Sequence, residues 1–470
     1  MKTNKLESLT RKSLLVWDNL QENGQSEINT FCNEYKNFMN SAKTEREATL
    51  EIVRIAEANG FTDLNQAIQN KTNLKPGDKI YITNKDKTVA MFIIGTEPLE
   101  NGLTIIGSHL DSPRIDLKQN PLYEDEGFAF LETHYYGGIK KYQWVTIPLA
   151  IHGVIFTKDN KKTNIVIGEE EQDPVLFITD LLPHLSRDQA GKKLSEAIEG
   201  ENLNVLFGSM PIEDKEAQNR IKLNILKLLN EKYGICEEDF ISAELEIVPA
   251  GKSRDVGLDR SMIAAYGHDD KICAYTSLRA LLEIQAPTKT CVGLFVDKEE
   301  VGSMGATGMA SNFFENTVAE VMELTNEYSS LKLRRALANS KMLSADVLAA
   351  FDPLYPSVYE KKNTAFLGKG IVIAKYTGSG GKGGSNDASA EFLGEIRTLL
   401  NDNNIIWQTT ELGKVDQGGG GTIAYILAEY GMEVLDCGIC LLSMHAPWEI
   451  ASKADIFEGY RAYKAFYTIK

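Results

Sequence analysis

Apolar positions change their spacing along the chain, and each change marks an element. Residues 26–59 carry apolar side chains three and four apart and stop at Asn59-Gly60, a pattern that predicts helix. Short apolar runs then alternate with helical ones. "KIYITN", "TVAMFIIG" and "LTIIGS" predict strands, "KICAYTSLRALLEIQ" a helix, "TCVGLFVD" a strand and "VAEVMELTNEY" a helix. Further on, "ASAEFLGEIRTLLNDNN" and "GTIAYILAEYG" predict helices, and "EVLDCGICLLS" a strand. Strand and helix in turn imply an α/β fold whose central sheet is mostly parallel and flanked by helices.

Between about residues 118 and 255 the pattern differs. "GFAFLETHYYGG", "YQWVTIPLAIHGVIF" and "TNIVIG" form a β-rich run, followed by a charged stretch and the helix-like "QNRIKLNILKLLNEKYG". The α/β pattern resumes at "RSMIAAYGHDD". This predicts a β-rich domain at 118–255 inserted into a discontinuous domain of 1–117 and 256–470. The length agrees, because 470 residues with 43% hydrophobic content exceed what one core usually organises.

Charge and cysteine content narrow the setting. A formal net charge of −16 without a basic patch opposes nucleic acid and anionic membranes as partners. The opening "MKTNKLESLTRKSLLVWDNL" has no sustained apolar core, and nowhere do 18 apolar residues run together. Six cysteines in a chain this long are too few for a disulfide framework. A soluble, unexported, cytoplasmic protein is the expectation. Cys437 and Cys440 have C-x-x-C spacing, which suits a redox or zinc site, but their strand-like neighbours favour burial in a strand.

In open α/β sheets ligands bind beyond the carboxyl ends of the strands, so the residues after each apolar run carry the chemistry. His109 and Asp111 follow "LTIIGS"; His268, Asp269 and Asp270 follow "MIAAYG"; Asp297, Glu299 and Glu300 follow "CVGLFV"; Asp346 follows "KML"; His445 follows "GICLLSM". Five strand ends would thus deliver His, Asp or Glu to one edge of one sheet. Gathered in one cleft, these groups would repel or sit unsatisfied without a cation. Imidazole and carboxylate without thiolate suit zinc, and also manganese or cobalt. Five ligands exceed the needs of one open site, so two metals sharing a carboxylate are expected. In "VDKEEVGSMG" one glutamate, Glu300, can then bind metal while Glu299 faces water as general base.

The segments "SHLDSP", "HDDKICAY", "DKEEVGSMGA", "SADV" and "SMHAPWE", spread over most of the chain, resemble the M18 family of zinc aminopeptidases. The resemblance implies a zinc-exopeptidase-like fold and removal of the N-terminal residue, possibly an acidic one, from peptides with a free amine. It implies His109, Asp269, Glu300, Asp346 and His445 as metal ligands, with Asp269 bridging, Asp270 beside it in support, Asp111 orienting His109 and Glu299 as base. His268, next to the bridging Asp, is expected to support rather than bind. The inserted region is similar to the family's dimerisation domain, and assembly into a tetrahedral dodecamer is implied. There "IPLAIHG" points to His152 as a substrate contact in a neighbouring subunit, or else as a strand histidine satisfied at the dimer interface.

Two glycine-rich stretches remain. "AKYTGSGGKGGSND" fails the phosphate-loop pattern, because Lys382 is followed by Gly383, and reads better as a substrate loop in which Lys375 matches a family lysine. "VDQGGGGTIAYILAEYG" is either a loop offering helix amides to a carboxylate or a plain helix start. The rival chemistry is a dinuclear amidohydrolase acting on N-acylated amino acids, and the rival class is an idle oligomeric scaffold, which would leave ligand positions unfilled.

Overall fold

Residues 26–59 fold as two helices, Gly24–Ser41 and Glu45–Ala58, in a computed structural model that describes residues 9–469. The first eight residues of the opening segment lie outside the described residues. Thr44 and Glu47 make the break. The Thr44 hydroxyl accepts the Glu47 N–H at 3.2 Å and the Glu47 carboxylate accepts the Thr44 N–H at 3.1 Å, a reciprocal cap that starts a new helix.

The central sheet has nine strands, in the order Thr62–Asp63, Lys79–Asn84, Thr88–Ile93, Cys291–Val296, Thr104–His109, Lys341–Ser344, Glu433–Gly438, Ile371–Ala374, Trp407–Thr409. It is mixed, with parallel pairs in the majority, as expected, and three antiparallel pairs among them. The four strands from Cys291–Val296 to Glu433–Gly438 are parallel. Antiparallel pairs lie outside them. One cause is local: Lys85 and Asp86 both take positive φ, 54° and 57°, and turn the Lys79–Asn84 strand straight back into Thr88–Ile93.

Alternation along the strands sorts their side chains into two cores. Cys291 and Phe295 face the helices Gly24–Ser41, His268–Leu282 and Lys453–Phe466, whereas Val292, Leu294 and Val296 face Phe313–Leu324 and Ser330–Ala338. The β-rich run forms a separate antiparallel sheet of six strands between Arg114 and Pro249. That sheet has its own core, in which Ile221, Ile225 and Leu229 of the helix Arg220–Tyr233 pack beside Trp144.

A third sheet of five strands changes the picture drawn from sequence. Met262–Ala265 and Cys440–Leu442, the strands before Asp269 and His445, belong to it and not to the central sheet. "EVLDCGICLLS" is therefore two strands, with the chain crossing between sheets at Ile439. Gly438 permits the crossing, since a Cβ there would lie 1.8 Å from the Asp346 carbonyl oxygen. Cys437 and Cys440 are buried free thiols on the two sheets, in line with the strand reading. The helix in "GTIAYILAEYG" is short, Ala424–Ala428. Among the described residues no helix is long and apolar enough to cross a membrane.

Two substitutions test these local causes. Thr44→Ala removes the cap and should lower the free energy of unfolding by about 1 kcal/mol in a denaturant titration. Gly438→Ala forces the backbone at Asp346 to move and should cost about 3 kcal/mol in the same titration, the upper end for an overpacked site.

Candidate metal centre

His109 ends its central strand with the ring fully buried. Its Nδ1 lies 2.9 Å from the Asp111 carbonyl oxygen. A carbonyl only accepts, so Nδ1 carries the proton and Nε2 presents a lone pair. That Nε2 faces Asp269 Oδ1 at 3.2 Å, Asp346 Oδ1 at 3.7 Å and Glu299 Oε2 at 3.9 Å. His445 repeats the arrangement from the third sheet. Its Nδ1 donates to the Gly138 carbonyl at 3.0 Å, and its Nε2 faces Asp269 Oδ2 at 3.1 Å and Glu300 Oε1 at 3.5 Å.

Lone pairs facing carboxylates in a buried site need a positive charge between them, either protons or cations. The orphaned atoms favour cations: Asp269 Oδ1 and Glu300 Oε1 are buried without a hydrogen-bond partner. Ligand atoms fall within 4.8 Å of one another in three sets, His109 with Asp269 and Asp346, Asp269 with Glu300 and His445, and His109 with both glutamates. The first two sets share Asp269, one oxygen to each side. The residues present therefore fit two ions of the kind imidazole and carboxylate bind.

Titration behaviour reflects the crowding. Burial pushes Glu299 up to about 8, with Asp346, Asp269 and Asp111 adding to it against the help of His109. Burial and Asp269 likewise hold Glu300 well above the carboxylate range. Burial opposes protonation of His445, but its hydrogen bond and charge contact with Asp269, and the charge of Glu300, raise it to about 10. Burial also opposes His109, which hydrogen bonds to Asp111, Asp269 and Asp346 raise well above its usual value.

The acidic pair is placed by its backbone. Lys298 takes φ 69° and starts the 3-10 turn Glu299–Val301. The N–H groups of Glu299 and Glu300 then donate to Asp111 Oδ1 and Oδ2 at 3.1 and 3.2 Å. The part expected of Asp111, orienting His109, falls to its carbonyl. Its carboxylate, 3.4 Å from the same nitrogen, chiefly holds the turn of the two glutamates. Tyr136 donates its hydroxyl to Asp111 Oδ2 at 2.8 Å, beneath the Arg114 guanidinium.

His268 stands beside Asp269 with its ring turned away. Nε2–H donates to the Ile263 carbonyl at 3.1 Å and Nδ1 accepts the Tyr35 hydroxyl at 2.6 Å, so both nitrogens are taken. Burial pushes it down to about 4. Asp270 accepts the His109 N–H on Oδ2 at 3.1 Å.

His152, expected to act in a neighbouring subunit, is buried in the six-stranded sheet of its own chain, with Nδ1 on Glu47 at 2.7 Å and Nε2 on Glu169 at 3.0 Å. Lys375 pairs with Asp387 at 3.0 Å outside the lining of the cleft. Lys382, on the same Asp387, does line it. The cleft measures about 820 Å³ and is walled by the glycines of 378–384 and 418–421, so both glycine-rich stretches border the cluster.

Sequence reasoning missed two supports. Glu449, buried, accepts the Asp269 N–H at 3.0 Å and the His445 N–H at 2.7 Å. Ser112 donates to the Asp269 carbonyl at 2.7 Å and contacts the buried Lys271 ammonium at 2.5 Å. An acid four residues after His445 and a serine inside "HLDSP" were the available signals, and neither is distinctive alone.

Comparisons with known proteins agree with this geometry. Residues 38–467 match the family model described as aminopeptidase I zinc metalloprotease (M18). "Probable M18 family aminopeptidase 1" of Clostridium acetobutylicum is 59% identical over 451 residues, covering 96% of this chain and 97% of the relative. The crystal structure of an M18-family aminopeptidase from Thermotoga maritima superposes with a TM-score of 0.94 at 46% identity, covering 98% of this chain and 100% of that one. Aminopeptidase I from C. acetobutylicum gives 0.90 at 54% identity, covering 97% and 99%. On both the family model and these relatives, the chain belongs to the M18 family of zinc metallopeptidases and is an aminopeptidase, a hydrolase of N-terminal peptide bonds.

Proposed function

We propose that the cluster is a two-ion centre that cleaves the first peptide bond of a peptide with a free amine. His109, Asp346 and Asp269 would hold one ion, and His445, Glu300 and the same Asp269 the second. The observation that carries this is the split of the Asp269 carboxylate, 3.2 Å from His109 Nε2 on one side and 3.1 Å from His445 Nε2 on the other. When bound, two divalent ions, zinc by family and with manganese or cobalt as substitutes, supply Lewis-acid polarisation of the scissile carbonyl and of water.

The chain's own residues do the rest. Glu299 takes the proton of the attacking water and returns it to the leaving amine. Burial raises its carboxyl, which favours proton uptake, and bound cations would act in the opposite direction. Asp111 keeps Glu299 and Glu300 on one turn, so that one acid reaches metal while the other stays free.

Further proposals rest on placement. Lys382, which lines the cleft, and Lys375, which does not, share the carboxylate of Asp387, and the excess positive charge of this group is proposed to favour an acidic first residue. Lys382 takes the part that the family resemblance assigns to Lys375. His152, tied here to Glu47 and Glu169, is proposed as a substrate contact in a neighbouring subunit, or else as a strand histidine satisfied at the dimer interface. The stretch 118–255 is proposed as an inserted dimerisation domain, supported by its separate core and by exposed apolar side chains such as Phe128, Leu182 and Met210. A cytoplasmic homo-oligomer built from such dimers, a tetrahedral dodecamer, accords with one structural relative of the same fold, the yeast mApe1 dodecamer.

Glu299→Gln should retain two ions per chain by elemental analysis while kcat falls by about 10²- to 10⁴-fold; hydrolysis at the parent rate would remove Glu299 from the role of base. A peptide with a free amine should be cleaved and its N-acetylated form should not. Equal rates on the two would favour the amidohydrolase reading instead.

A further inference from the structure

We infer that Glu449 is a positioning residue that fixes the two ligands of the second metal position, Asp269 and His445, through their backbones. The inference rests on the two-ion reading above.

Register and burial support it. The strand Glu449–Ser452 pairs with Met262–Ala265 so that Glu449 stands opposite Ala265, four residues before Asp269. The side chain is 1% exposed, and its two oxygens divide between two chain segments: Oε2 accepts the Asp269 N–H at 3.0 Å and Oε1 the His445 N–H at 2.7 Å. The residues so held are two of the three that could grip one ion, with Glu300 the third.

His445 needs such a hold. It takes φ 65°, as Ser443 takes 59°, a left-handed conformation that a residue with a Cβ keeps only when its surroundings fix it. Its side chain is 34% exposed, against 2% for His109, so packing constrains it less. The first metal position is braced separately. The His109 N–H rests on Asp270, its ring on the Asp111 carbonyl, and the residue before Asp346 donates its N–H to the Gly107 carbonyl at 2.7 Å. Glu449 touches none of these and meets the first position only through the shared Asp269, whose carbonyl Ser112 also holds, so its loss should act more on the position of His445 than on the other.

Glu449→Gln is the test. The amide has nearly the carboxylate's shape but one acceptor oxygen and one donor nitrogen, so one of the two N–H groups loses its partner. Zn²⁺ is titrated into chelator-stripped parent and variant against a chromophoric competitor, and the melting temperature of each metal-free protein is recorded. The expected result is that one of two ions binds about 10- to 100-fold more weakly while the other, which meets Glu449 only through Asp269, weakens by less. Thr44→Ala, a distant destabilising control, should keep both affinities. The role is overturned if Glu449→Gln binds both ions as the parent does, or if both affinities fall together with the metal-free melting temperature. If Glu449→Gln does not fold, Glu449→Asp, one methylene shorter, is read the same way, and failure of both to fold also overturns the role. A parent chain that binds a single ion would instead overturn the two-ion reading.

Discussion

One carboxylate sets the terms for the rest of this protein. Asp269 is buried, and each of its oxygens faces an imidazole nitrogen whose ring has already given its proton to a backbone carbonyl. Unscreened negative charge in such surroundings is costly, and the site adds Glu299, Glu300 and Asp346 to it. Cations resolve the conflict that the fold creates. The imidazole orientations, the orphaned oxygens and the raised carboxyl groups are consequences of this one arrangement.

Two sheets must meet for Asp269 to be shared. The central sheet brings His109, Asp346 and the turn of Glu299 and Glu300; the third sheet brings Asp269 and His445. The crossing at Ile439 links them directly, and its tolerance is narrow because Gly438 lies against the backbone of Asp346. The same glycine that lets the chain change sheets thus also bounds where one ligand stands.

The gathering of His109, Asp269, Glu300, Asp346 and His445 was legible in the sequence because five instances of His, Asp or Glu after an apolar run reinforce one another. The helices and most strands were legible from period alone. The third sheet was not, since "EVLDCGICLLS" has the apolar run of one long strand and nothing in its period marks a change of partner at Ile439. The antiparallel pairing of Lys79–Asn84 with Thr88–Ile93 was missed because Lys85 and Asp86 do not advertise a left-handed turn as Asn-Gly would. The split helix near Thr44 was written in the capping box, a cue overridden by the continuous helical spacing around it. For His152 and Lys375 the partners within the chain were not legible: a residue type at the right place in a motif says nothing of which carboxylate it will pair with, and Glu47, Glu169 and Asp387 are distant in sequence or unremarkable.

The hydroxyl of Tyr136 leads beyond the cluster. Tyr136 closes a strand of the six-stranded sheet, yet it donates to the acid that anchors the turn of Glu299. A hydrogen bond of 2.8 Å tolerates little displacement, so that sheet cannot slide or tilt against the catalytic body without slackening the acid's grip. The β-rich unit is therefore a strut as well as an appendage. Graft it from another protein, or prise it away, and the carboxylate that holds the turn of Glu299 and Glu300 loses the hydroxyl that now steadies it.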